Sequence, residues 1–132
     1  MLKQINVGII GTGWCGGIRA NACDASPLVD KLYIAEQNPE RLKELSSRLK
    51  LEGFTDDWLK LIHNPDIDTI IISATPETTH YPMALKALEA GKNVFLEKPI
   101  ATTLIEADHL IETSIKNNVK FTIGYSQRFN AK

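Results

Sequence analysis

Residues 8–17 read GIIGTGWCGG, which places five glycines in ten positions directly behind the apolar run Ile5–Ile10. A packed core gains nothing from glycine, which has no side chain to bury and loses more conformational freedom on folding than any other residue. Glycine is required where the backbone turns sharply or where another group must approach it closely. Outward from this stretch, short apolar runs rich in Val and Ile recur at 5–10, 31–35, 53–54, 69–73, 93–96 and 120–124. Between them, helical periodicity covers 13–25, 39–49, 56–63, 79–90 and 104–116. Runs such as TIIIS (69–73) lack the polar alternation of a half-exposed strand, as expected where helices cover both faces of a parallel sheet. Asn38-Pro39 opens one helix, Asn64-Pro65 closes another, and Gly91 follows ALKALEA as a stop. The rhythm predicts a doubly wound α/β domain: a mainly parallel sheet of about six strands with helices on both faces.

In that context Gly11, Gly13 and Gly16 form G-x-G-x-x-G at the exit of the first strand and the start of the first helix. The first glycine permits a tight turn, the second admits a pyrophosphate, and the third lets helix and strand pack closely. Such a turn, with Thr12, Trp14 and Cys15 as its other members, is the dinucleotide-binding turn of a Rossmann fold, with phosphates at the helix N-terminus. A glycine-rich turn also arises for structural reasons alone. Glu36 strengthens the binding reading, because it ends the second strand 20 residues after Gly16, where an acid accepts hydrogen bonds from ribose hydroxyls. The alternative for Glu36 is a solvated carboxylate at a helix start. Glu36 repels a 2′-phosphate and the next residues Gln37-Asn38-Pro39 include no arginine, so NAD is expected over NADP. Arg41, one helical turn on, is near enough to swing back.

The second half of the chain carries T-P-x-x-x-H at Thr75, Pro76 and His80, then A-L-x-A-G-K leading into E-K-P at Glu97, Lys98 and Pro99. G-Y-x-x-R-F comes next, at Gly124, Tyr125, Arg128 and Phe129. With the glycine turn and EQNPERL, this series resembles the N-terminal NAD(P)-binding domain of the Gfo/Idh/MocA oxidoreductases, the family of glucose-fructose oxidoreductase and inositol dehydrogenase. Trp14-Cys15 departs from the smaller or aliphatic residues of many relatives. The resemblance implies reversible hydride transfer between a nicotinamide cofactor and the CH–OH carbon of a sugar, cyclitol or similar polyol. It also implies that Lys98 lies near the nicotinamide and the substrate hydroxyl as the catalytic residue of this chain.

The residues themselves allow more than one role. Thr75-Pro76 and Glu97-Lys98 each come after a strand, at the sheet end where ligands of open α/β sheets bind. Pro76 either walls the cofactor or simply shapes a loop, and without the resemblance Lys98 reads as a solvated charge. His80 is taken as part of the cofactor loop, structural rather than catalytic, while His63 and His109 have no recognisable partners. Cys15 has no base beside it and reads as a bystander thiol. Arg128 contacts cofactor, contacts a substrate acid group, or bridges to the chain beyond Phe129.

Bulk properties exclude other classes. With 15 Lys and Arg against 16 Asp and Glu, no basic face advertises a nucleic-acid or acidic-membrane partner. No apolar run reaches the length of a membrane span and no signal-like segment precedes the first strand, so a cytoplasmic location is expected. Cys15 and Cys23 are the only cysteines and match no metal-ligand spacing, so no metal is expected. A methyltransferase has no role for E-K-P. An NAD-sensing regulatory module suits the length but has no use for a lysine in the crevice, and a degenerate structural Rossmann domain would have lost its glycines. The chain stops at RFNAK, where the family's chain enters a substrate-binding domain that also makes oligomer contacts. Residues 1–132 are therefore expected to be one NAD(P)-binding domain that binds a dinucleotide but does not catalyse alone, within a homo-oligomeric complete protein.

Overall fold

The computed structural model describes residues 2–131. Six strands, β1 (Ile5–Ile10), β2 (Val29–Ala35), β3 (Gly53–Thr55), β4 (Thr69–Ile72), β5 (Asn93–Glu97) and β6 (Phe121–Gly124), form one sheet in the order β3-β2-β1-β4-β5-β6. All five pairings are parallel. The helices are α1 (Trp14–Ala25), α2 (Pro39–Arg48), α3 (Trp58–Ile62), α4 (His80–Glu89) and α5 (Leu104–Lys116). This is the doubly wound Rossmann order, and the chain reverses direction across the sheet between β1 and β4.

Strand alternation splits the core. Val7, Ile9, Leu32 and Ile34 face Ala20 of α1 and Leu45 of α2. Ile10, Ile70, Ile72, Val94 and Leu96 face α3, α4 and α5, with Leu61, Ala84, Leu88 and Leu110 fully or almost fully buried among them. Each such aliphatic side chain contributes about 1.5–3 kcal/mol of burial. The helices are therefore divided two against three, and on the α1 side Phe95 of β5 is covered by the guanidinium of Arg19 instead of by an apolar helix face.

Some boundaries differ from the sequence reading. β2 begins at Val29 rather than 31, because Ile5 N–H donates to Leu28 O and Lys31 N–H to Asn6 Oδ1, pairings made by the neighbouring strand. α3 is shorter than 56–63, since Asp57 accepts from Leu59 N–H and so caps the helix from outside it. The expected helix at 79–90 is preceded by a 3₁₀ turn over Glu77–Thr79. Asn38, Asp57 and Thr103 cap α2, α3 and α5 with their side chains, whereas no side chain caps α1. The Thr75–Pro76 and Lys98–Pro99 peptides are cis.

Candidate active site

A crevice of about 600 Å³ runs along the carboxyl ends of β1, β2, β4 and β5, at the point where the strand order reverses. Its middle is the glycine turn, and the three glycines there have three different reasons to lack a side chain. Gly11 has φ +82°, and a Cβ on it would lie 2.7 Å from both Cα and N of Ala74. Gly16 sits against the Gly11 carbonyl, and its Cβ would lie 2.9 Å from Gly11 C and 3.3 Å from Ser73 Cβ. At Gly13, by contrast, a Cβ would meet only Arg41 Nη1, at 3.9 Å. Nothing in the protein requires the missing side chain there. Gly13 is also the N-cap of α1, so this open position faces the free N–H groups and the positive end of the helix dipole. A phosphate group fits that cradle.

Glu36 stands to one side of the turn, 8% exposed, which excludes the solvated-carboxylate alternative. Its Oε2 accepts from Thr12 N–H at 2.8 Å and Thr12 Oγ1 at 2.5 Å, with Arg41 Nη1 at 3.4 Å, while Oε1 accepts from Asn38 N–H at 2.9 Å. Burial pushes the Glu36 carboxyl up, but the Thr12 hydroxyl, the Asn38 and Thr12 amides and the Arg41 charge together hold it below the usual glutamate value. Glu36 thus clamps the turn through Thr12 and keeps part of Oε1 for another donor. Arg41 does swing back, onto Glu36.

On the other side Thr75, Glu97 and Lys98 line the same crevice, together with Trp14 and Cys15. His80 is 2% exposed; its Nδ1 lies 2.8 Å from Pro99 O and its Nε2 3.0 Å from Ala74 O. The ring links the loop after β4 to the loop after β5 and also lines the crevice. Pro76 and Gly16 do not line the crevice: Gly16 lies beneath the turn, and Pro76 N-caps the 3₁₀ turn. Arg128 is set apart from the crevice, with its guanidinium 5.8 Å from the Tyr125 ring. It lines a second depression of about 460 Å³ with Tyr125 and Gln127, and Glu97 and Lys98 stand between the two cavities.

Three contributors were not read from the sequence. Ser73 is buried beside Gly16 with no hydrogen-bond partner for its hydroxyl among the described residues. Trp58 forms part of the crevice wall. Arg19 pairs with Glu97. Arg19 carried a weak signal, being a charge in α1 one position before the fully buried Ala20. Among the described residues no group of three or more His, Cys, Asp or Glu is placed to hold a metal, and no helix is long and apolar enough to cross a membrane.

Comparison with known proteins agrees with this geometry. The family model described as an oxidoreductase family with an NAD-binding Rossmann fold, Gfo/Idh/MocA, matches residues 5–125. Levoglucosan dehydrogenase of Pseudarthrobacter phenanthrenivorans is 34% identical over 96% of this chain and 34% of its own. The scyllo-inositol 2-dehydrogenase (NAD(+)) of Bacillus subtilis is 29% identical over 98% of this chain and 38% of its own. The crystal structure of scyllo-inositol dehydrogenase from Lactobacillus casei, with bound NAD(H) and scyllo-inositol, superposes with a TM-score of 0.87 at 30% identity, covering 97% of this chain and 38% of that one. The chain thus spans between about a third and two fifths of the length of these relatives. The match from the first strand through the last, and the agreement of fold with it, place this chain in the Gfo/Idh/MocA oxidoreductase family.

Proposed function

We propose that this chain binds NAD along the crevice and that, in the whole protein, it serves hydride transfer to or from the CH–OH carbon of a sugar, cyclitol or similar polyol. The observation that carries the reading is Gly13, open to the crevice at the uncapped N-terminus of α1, with Glu36 on one side and Lys98 on the other. Phosphates fit the Gly13 cradle, an adenosine ribose fits the free capacity of Glu36, and the reacting end then lies toward Lys98. Relatives in the family include dehydrogenases solved with NAD(H) and scyllo-inositol and with NADH and levoglucosan.

When bound, the nicotinamide supplies the hydride chemistry. The protein's part is to hold the reacting groups in place and to balance charge. Gly11, Gly13 and the α1 N-terminus fix the phosphates, and Glu36 orients the ribose while disfavouring a 2′-phosphate. Lys98 donates a hydrogen bond to the substrate oxygen and stabilises the negative charge that develops there. Arg128 lines the second depression, which shares Glu97 and Lys98 with the crevice, and its proposed role is to meet the substrate.

Calorimetric titration of the chain with NADH and NADPH tests the binding half. NADH is expected to bind more tightly, and no binding, or a preference for NADPH, would overturn it. In the whole protein the catalytic half is tested by NAD reduction against inositols and levoglucosan.

A further inference from the structure

We propose that Arg19 is a positioning residue for the reacting end of the crevice: by holding Glu97 it fixes the exit of β5 from which Lys98 projects, a role that rests on the dinucleotide reading of the crevice. Arg19 Nη2 lies 2.5 Å from Glu97 Oε2, with the two side chains 18% and 15% exposed. The guanidinium carbon is 4.8 Å from the centroid of the Phe95 ring, two residues back along β5, and Nη1 lies 3.5 Å from Cys15 O in the glycine turn.

The third wall of this arrangement is Gly124, at the end of β6. A methyl group there would stand 3.0 Å from Arg19 Nη2 and 3.2 Å from Glu97 Oε2. The glycine of G-Y-x-x-R-F therefore leaves room for the ion pair. One guanidinium ties together α1, which begins at the glycine turn, β5, which ends at Lys98, and β6, which leads into the second depression.

Stability alone does not explain such a pair. Partly burying two charges costs desolvation energy that their attraction only about repays, and well-packed apolar residues often serve the fold as well. What the pair supplies is geometry. A planar guanidinium stacks on Phe95 and grips Glu97 at once, which an ammonium does not do. It also occupies the Glu97 carboxylate, which would otherwise be an open partner for the adjacent Lys98 ammonium. Lys98 thereby stays available to a ligand in the crevice.

The test compares the two ends of the ligand in the 132-residue chain. Bound NADH fluorescence reports how tightly the nicotinamide end is held, and ADP-ribose affinity reports the phosphate and adenosine end. Arg19→Met is expected to lower the fluorescence enhancement of bound NADH by at least about twofold, because the reacting-end wall loosens. ADP-ribose affinity is expected to stay within about twofold of wild type, since Arg19 reaches that end through one long contact, Nη1 to Cys15 O at 3.5 Å, and Gly13 and Glu36 have other neighbours. Arg19→Lys keeps the charge but not the planar stack and should fall between. An unchanged enhancement in Arg19→Met, or a parallel loss of ADP-ribose binding, overturns the proposal. If Arg19→Met fails to fold, Arg19→Lys decides, and wild-type enhancement in that variant overturns it. Failure of the wild-type chain to bind either ligand would instead sink the dinucleotide reading, and this inference with it.

Discussion

Gly13→Ala and Gly16→Ala are the same chemical change three residues apart, yet they should damage different properties. At Gly16 the new methyl falls against Gly11 O, 2.9 Å from Gly11 C and 3.3 Å from Ser73 Cβ. The first two are backbone atoms of the turn and cannot rotate away, so helix and turn must separate. Overpacking of that kind costs about 1–3 kcal/mol, and for a domain of this size each kcal/mol lowers Tm by roughly 3–5 °C. At Gly13 the methyl meets only Arg41 Nη1 at 3.9 Å, so Tm should move by no more than about 2 °C. The cost there appears when ligand binds. The methyl occupies the approach to the α1 N–H groups, and losing one hydrogen bond to a charged group costs about 1.5–3 kcal/mol, or at least about tenfold in NADH affinity. Thermal melts and calorimetry on both variants separate the effects. Wild-type NADH affinity in Gly13→Ala, or a wild-type melt for Gly16→Ala, would refute the assignment of the glycines.

Four further outcomes are expected from named contacts. The Glu36 carboxyl is held below its ordinary value, so its ionised form contributes stability that is complete above about pH 4.3, the unfolded value, and is lost as pH falls through the folded one. Melts across that acid range should therefore lose less stability in Glu36→Gln than in wild type, and parallel curves would count against the clamp. Glu36→Ala removes the repulsion of a 2′-phosphate and frees Arg41, so the NADPH/NADH affinity ratio should rise about tenfold or more by titration. Lys92, whose pKa burial pulls down, donates to Asn64 O at 2.7 Å and Ile67 O at 2.8 Å at the opposite end of the sheet; Lys92→Met should cost about 2 kcal/mol or more in urea unfolding while leaving NADH affinity unchanged. In the whole protein, Lys98→Ala should lower turnover on the order of 100-fold with little change in NADH affinity, as steady-state kinetics would show.

The fold was legible because its strands are short, centred on Val- and Ile-rich runs and separated by helical stretches of the right length. The glycine turn was legible because its residues are neighbours in sequence. The rest depends on contacts between segments that only the folded sheet brings together. Glu36 could be read as an acceptor at the end of β2, but its grip on Thr12 exists because β1 and β2 pair in parallel and end side by side. Arg19 had only its place before the buried Ala20 as a signal, which does not say that α1 lays it across Phe95 toward Glu97. The glycine spacing was plain in the sequence, while Ala74 as the close neighbour of Gly11 became visible only with β4 in place.

Charge placement connects these contacts to binding. A crevice for a pyrophosphate is an odd place for carboxylates, yet Glu36 and Glu97 both line it. Each has its own arginine: Arg41 Nη1 lies 3.4 Å from Glu36 and Arg19 Nη2 lies 2.5 Å from Glu97. Each is also turned toward protein donors or walls, Glu36 onto Thr12 and Asn38, Glu97 into the space left by Gly124. Their negative charge is thereby offset locally, and what remains unbalanced beside the glycine turn is the positive end of α1 and the ammonium of Lys98. Asp56 and Glu77 also line the crevice, but neither belongs to the turn or to the β5 exit. The two arginines therefore sit alike at opposite ends of one crevice, each offsetting the charge of a carboxylate that lines it.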